Sequence, residues 1–303
     1  MVKRRNPFWD NLKGILIFLV VLGHTGTAQG QSWLSVIYAF HMPLFILISG
    51  YFSRKKDTLW NTIKKLVSYY LIFNTAYFLL DFALGESVTL KNLITPGFSL
   101  WYILSLIFWR SIFFCIPDSI LARKDAVMIG SFLLSLLSGF VPIGSEFSFQ
   151  RTFTFLPFFA AGYYCRQNKV DFEKEKRPIV SVVSIALFIG VSLLNYCRMP
   201  VFYSNKPYIV PNDAIMRLLQ LGIAFILCWI ILYLAPKKKN LFTQLGENSL
   251  IIYLLHPPIV KGCKLFLTWG GVSTNPFIAL IITSFTITII FLIRNLRIFR
   301  WIR

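Results

Sequence analysis

Charge is what this chain has least of, and acid is the scarcer sign. Only 14% of its 303 residues are charged, and 12 Asp and Glu stand against 31 Lys and Arg, for a formal net charge of +19. The composition is 56% hydrophobic, and a soluble domain of this length needs more polar surface than that leaves. Other absences narrow the function. None of the twelve acids falls deep in an apolar run, which counts against proton- and cation-coupled transporters and against a membrane protease built on paired aspartates. There is no P-loop, no DHHC-type cysteine cluster and no metal-ligand spacing, and the five cysteines are scattered fillers, so no metal is expected. No A-x-A-like cleavage site follows "MVKRR", which predicts that the first apolar segment stays as a span. No repeat, low-complexity tract or appended soluble domain is visible, and 1–303 reads as a single membrane domain.

What is present is a series of apolar runs near 20 residues long, each able to cross a hydrocarbon core ~30 Å thick at ~1.5 Å per residue. The fold class expected is all-α, a polytopic transmembrane bundle of about ten spans: 12–29, 33–53, 65–84, 98–117, 126–143, 152–166, 178–197, 213–235, 248–268 and 276–293. With a cytosolic N-terminus, 23 basic residues fall on inner loops and ends and six on outer ones, while Arg110 and Arg217 lie within spans. That asymmetry predicts cytosolic N- and C-termini, and it explains the positive charge without a nucleic-acid partner. The bilayer itself is the expected partner.

Only three histidines occur, all in apolar surroundings: "FLVVLGHTGTA" (18–28), "FHMPLF" (40–45) and "YLLHPP" (253–258). Counting along straight helices puts His24 ~16 Å above Lys13, His41 ~12 Å below the outer edge and His256 ~12 Å above the inner one. All three come out near the mid-plane. Either they are neutral imidazoles bonding between helices, or they form a polar site with a reactive member. Three at one depth favour the site, and an imidazole can accept a proton or an acyl group near neutral pH.

The stretches "DNLKGILIFLVVLGH" (10–24), "FHMPLFILISGYF" (40–52), "SLWYILSLIFWR" (99–110), "FLPFFAAGYY" (155–164) and "LGENSLIIYLLHPP" (245–258) resemble the acyltransferase-3 family, nearest its fucose 4-O-acetylase-like group. That resemblance implies a membrane O-acetyltransferase of the bacterial cytoplasmic membrane, moving an acetyl group from cytosolic acetyl-CoA to a cell-surface glycan or its lipid-linked precursor. The family's basic residue, ten positions and histidine correspond to Lys13 and His24, with lysine where arginine is commoner. The resemblance implies that His24 is central to transfer and that Lys13 engages the donor. It also points to basic residues around the second and third spans, here Arg54, Lys55, Lys64 and Lys65, as attracting the CoA phosphates. His41 and His256 are further catalytic candidates, and Arg110 faces either the donor path or a structural partner. Pro257-Pro258 is expected to kink the ninth span and free carbonyls for a polar cavity. A transporter or flippase of a lipid-linked sugar is the alternative, which would not need the Lys13–His24 spacing. Acceptor, acyl length and oligomeric state are not readable.

Overall fold

The computed structural model describes residues 5–26, 32–53, 59–89, 91–143, 146–173, 177–196 and 207–302. Among these residues the regular structure is helical throughout, with no strand. The helices are α1 (Pro7–Thr25), α2 (Ser32–Tyr51), α3 (Leu59–Ala83), α4 (Lys91–Ile94), α5 (Trp101–Cys115), α6 (Asp118–Leu121), α7 (Lys124–Leu137), α8 (Phe149–Thr154), α9 (Leu156–Gln167), α10 (Pro178–Tyr196), α11 (Asn212–Leu234), α12 (Leu241–Glu247), α13 (Ser249–Trp269) and α14 (Pro276–Ile293).

Local chemistry accounts for several of their limits. Asn6 caps α1 by accepting from the Phe8 amide, and Pro7 supplies the preset φ of a first helical position. Asn275 and Pro276 repeat that device at α14. Asn240 and Thr243 form a reciprocal capping box at α12.

Six helices among the described residues are long and apolar enough to cross a membrane, namely α1, α2, α3, α11, α13 and α14, while α5 and the Pro178–Leu193 part of α10 are shorter apolar stretches. Large apolar side chains such as Leu71, Ile179, Phe285 and Leu292 are more than half exposed, as lipid-facing surface would be. The chain is an all-helical, multi-pass membrane protein. Two of the expected spans differ in form. The run 126–143 is helical only to Leu137 before a 3₁₀ turn at Ser138–Phe140. The run 152–166 is divided at Phe155 into α8 and α9, two residues ahead of Pro157, whose ring and missing N–H interrupt a ladder. Conversely, α13 runs on through Pro257 and Pro258.

Contacts divide the chain into two compact units. The first takes Met1–Met42, Asp171–Met199 and Ile223–Arg303. At its heart α1 packs on α12, α13 and α14. The α1–α12 approach is backbone against backbone: a Cβ on Gly14 would lie 1.9 Å from the Phe242 carbonyl oxygen, and one on Gly246 would lie 1.7 Å from that of Asp10. Lipid tails give apolar helices no net drive to associate, so glycine-mediated close packing and buried polar bonds do that work. Asn11, fully buried, donates to the carbonyls of Pro236 (2.9 Å) and Lys238 (2.8 Å) and accepts from the Thr243 hydroxyl. Asn11→Ala would strand all three groups, and we expect it to cost about 2–4 kcal/mol. A thermal unfolding midpoint in detergent that matches wild type would refute that role.

The second unit, Pro43–Val170 and Pro200–Gly222, is held by comparable means. Glycines admit close backbones, Gly50 to Phe159 and Gly162 to Leu47. Buried hydroxyls and amides bond across helices: Ser105 with Thr152 at 2.7 Å, Trp109 Nε1 to the Thr152 carbonyl at 2.8 Å, and Gln150 Nε2 to three carbonyls near Ser138. A cation in the 213–235 run would ordinarily snorkel to the membrane surface, yet Arg217 is only 1% exposed. Its guanidinium donates to the Ser135 carbonyl and the Ser138 hydroxyl and lies 4.4 Å from the Tyr208 ring centre. One carbonyl, one hydroxyl and a π-face take the place of water around that charge.

Candidate functional site

The first unit carries the site. α1 presents Lys13 near its start and His24 in its last turn, eleven residues and ~16 Å apart on nearly one face. α13 presents Ser249 at its start and His256 seven residues on, ~10 Å along the axis. The two helices meet twice. At one end Lys13 and Ser249 line the same cavity. Farther along, the His24 and His256 rings are 5.1 Å apart between centroids and tilted by 50°. They therefore run alongside each other in the same direction, with the basic end on one side and the imidazole pair on the other.

The histidines differ in setting. His256 is fully buried, and its Nδ1 lies 3.0 Å from the Ile252 carbonyl. A carbonyl only accepts, so the neutral ring donates from Nδ1 and keeps a lone pair on Nε2. That Nε2 is buried with no hydrogen-bond partner among the described residues. Pro257 has no N–H to give the Tyr253 carbonyl, yet α13 continues without a break.

His41 is 4% exposed and bonds its own helix in the same way, Nδ1 to the Ile37 carbonyl at 2.8 Å. Its ring lies 5.4 Å from that of Tyr38, whose hydroxyl donates to the Gly23 carbonyl at 2.7 Å. α2 is thereby tied to α1 one residue before His24, and His24 acts electrostatically on both other imidazoles. His24 itself is only partly buried, the most open of the three.

The cavity at the basic end has a volume of about 560 Å³, and its lining includes Arg5, Lys13, Asn248, Ser249, Arg294 and Asn295. Lys13 Nζ is 2.7 Å from the carboxylate of Asp10, which is 3% exposed and 3.7 Å from Arg5 Nε. Asn248 gives α13 no side-chain cap, so the positive end of that helix dipole adds to the cations. A phosphate-bearing group fits such a lining by charge. Arg5, Asp10, Tyr38 and Arg294 had not been singled out from the sequence. Only Asp10 left a local trace there, as an acid three residues before a lysine on a helix.

Of the other candidates, Arg54 and Lys55 lie outside the described residues. Lys64 and Lys65 are exposed on α3 in the second unit, Lys64 Nζ being 5.1 Å from the Trp60 ring centre. Arg110 is partly buried on α5 of the same unit, within electrostatic range of Tyr102. Among the described residues no group of three His, Cys, Asp or Glu could hold a metal ion.

Comparison with known proteins agrees with this picture. The Nodulation protein NolL of Mesorhizobium japonicum is 26% identical over 296 aligned residues, which cover 85% of this chain and 77% of that one. The protein of the same name from Sinorhizobium fredii is 23% identical over 307 residues, covering 85% and 78%. No solved structure matches. The family model described as an acyltransferase domain, acyltransferase-3, matches residues 6–295, a stretch that holds Lys13, all three histidines and Arg294. With that match over nearly its whole length, this chain belongs to the acyltransferase-3 family and is a membrane acyltransferase.

Proposed function

We propose that the chain transfers an acetyl group from cytosolic acetyl-CoA to a hydroxyl of a cell-surface glycan or its lipid-linked precursor. It does so in the bacterial cytoplasmic membrane, through a bundle of about ten spans with both termini in the cytosol. The observation that carries this reading is the His24–His256 pair, 5.1 Å between rings, ~16 Å along α1 from a basic cavity on the same two helices. A donor with a phosphorylated end and a long thioester arm matches a site with cations at one end and imidazoles at the other.

In this mechanism Lys13 holds a donor phosphate as a point charge, and Arg54, Lys55, Lys64 and Lys65 draw the anionic donor to the cytosolic mouth. Arg110 is assigned to the donor path. His24, the most open imidazole, takes the proton of the acceptor hydroxyl as that oxygen bonds to the thioester carbonyl carbon. The carbon–sulfur bond then breaks, and the proton on His24 passes to the leaving thiolate, so the products are an acetyl ester and free thiol. His256, with Nδ1 held by the Ile252 carbonyl and a lone pair kept on Nε2, stabilises the imidazolium that forms on His24 beside it. His41 holds α2 and Tyr38 in register with α1.

His256→Gln is expected to lower kcat roughly a hundredfold with little change in the donor KM, because its partner role matters when charge develops. An unchanged kcat would remove His256 from the chemistry. The function itself is tested with the purified chain in nanodiscs, given acetyl-labelled acetyl-CoA and an extract of lipid-linked glycans. Label should pass into an alkali-labile ester in the glycan fraction, with one thiol released per ester. Label that never leaves the donor in any extract, with no donor bound, would sink the reading and bring the lipid-linked-sugar flippase forward.

A further inference from the structure

The cavity at the cytosolic end of α1 draws its cations from three separate parts of the chain. Arg5 precedes α1, Lys13 lies on it, and Arg294 follows the last turn of α14. Their environments are unequal. Lys13 is in contact with Asp10 at 2.7 Å, which offsets much of its charge towards any other anion. Arg5 is 3.7 Å from the same carboxylate but has a side chain 58% exposed, free to turn. Arg294 is partly buried, with its guanidinium carbon 4.2 Å from the centre of the Phe291 ring. That stacking orients a planar fork at the cavity wall, where an arginine can meet a phosphate through two parallel hydrogen bonds. Asn248 and Ser249 bring the uncapped start of the 21-residue α13 to the same wall. Against the three cations stand Glu247 in the lining and Asp10 beside Lys13 and Arg5, so the cavity of about 560 Å³ keeps a modest net positive charge, carried by Arg294 and the exposed Arg5 more than by Lys13.

We propose that Arg5 and Arg294 form a phosphate subsite distinct from the Lys13 contact, which holds the phosphorylated nucleotide end of the donor. The enzyme then selects a nucleotide-bearing thioester over a bare pantetheine thioester. This rests on the reading that acetyl-CoA is the donor. The two arginines are binding residues in the cavity shared with Lys13, which is ~16 Å along α1 from His24, and take no part in bond breaking. Their loss therefore acts on donor affinity and leaves kcat alone.

The probe is radiolabelled adenosine 3′,5′-bisphosphate, measured by equilibrium dialysis against the full chain in phosphatidylcholine nanodiscs. Arg294→Gln and Arg5→Gln are each expected to weaken binding roughly tenfold or more, since each removes a charge-assisted contact. Arg294→Lys, which keeps the charge and loses the fork, should fall between wild type and Arg294→Gln, and thermal unfolding identifies any variant that has lost its fold. His24→Ala should bind the probe as wild type does. In turnover, Arg294→Gln should raise KM roughly tenfold for acetyl-CoA and leave KM for S-acetylpantetheine unchanged.

Equal probe affinity in wild type and both glutamine variants overturns the subsite, and if labelled acetyl still reaches the glycan the transferase reading stands without it. Probe binding that depends on both arginines while acetyl never leaves acetyl-CoA has the opposite meaning: the subsite stands and the transferase reading falls. An anionic lipid headgroup shares the same chemistry. Discs containing one-third phosphatidylglycerol separate the two, because probe affinity should hold there apart from ordinary surface-charge repulsion. Complete displacement of the probe by that lipid would assign the cavity to headgroups and overturn the proposal.

Discussion

His24→Ala is expected to lower acetyl transfer by at least a thousandfold, with donor binding intact. General base catalysis by a positioned imidazole contributes typically 10²–10⁴-fold, and here the same ring also returns the proton to the leaving thiolate. Removing it takes away the one partly exposed imidazole of the three, since the His256 ring beside it is fully buried and His41 is 4% exposed. The fold should survive, since His24 is only partly buried in the last turn of α1. Three readouts separate this from a structural effect: kcat collapses, the donor KM moves little, and the unfolding midpoint stays put. Added imidazole should restore part of the rate by entering the vacated position. A variant retaining a tenth of wild-type turnover would show that His24 is not the central group. Label trapped on the wild-type protein at His24 would instead identify an acyl-imidazole route through the same residue.

The largest expected loss of stability comes from a single methyl group. At Gly246 a Cβ would sit 1.7 Å from the Asp10 carbonyl oxygen, and at Gly14 1.9 Å from the Phe242 carbonyl oxygen. Both obstacles are backbone, so no side-chain rotation relieves them. α1 and α12 must separate, which breaks the Asn11–Thr243 bond and loosens the contacts of Asn11 with Pro236 and Lys238. Gly246→Ala should therefore cost roughly 3 kcal/mol or more, at or beyond the upper end for overpacking. It should also raise the donor KM, because Asp10 and Lys13 lie on the displaced stretch of α1 and Gly246 borders the cavity. Gly262→Ala on α13 is the control, as a Cβ there meets nothing within 4 Å, and its unfolding midpoint should be no lower than wild type. Equal midpoints for the two alanine variants would mean that the α1–α12 approach is not the tight contact described.

Much of the architecture is legible one segment at a time. A helix hides its backbone hydrogen bonds within itself, so an apolar run of the right length between Asn-Pro, Pro or Gly signals is enough to identify it. α2, α10, α11, α13 and α14 begin and end within a few residues of the runs read from composition. Depth is equally local, since residue count times rise put His24 and His256 at one level before any packing was known, and their rings meet. The Lys13–His24 spacing belongs to the same class of information.

What stayed hidden depends on partners far away along the chain. α12 is seven residues long, too short for a periodic signal, and its place is set by where two glycines let backbones touch across more than 200 residues. The Asp10–Lys13 pair depends on the burial of Asp10, which no local run of sequence shows. Arg217 sits in an apolar run and reads as a snorkelling cation, yet the Ser135 carbonyl, the Ser138 hydroxyl and a tyrosine ring contact it. Arg5 and Arg294 are nearly 290 positions apart, and positive-inside charge alone explains both until they line one cavity. The sequence by itself determined the helices, their depth markers and the family's chemistry, because each depends on a few neighbouring residues and a fixed rise. The tertiary structure decided which polar groups share a space, because that depends on the shapes that distant surfaces present to each other.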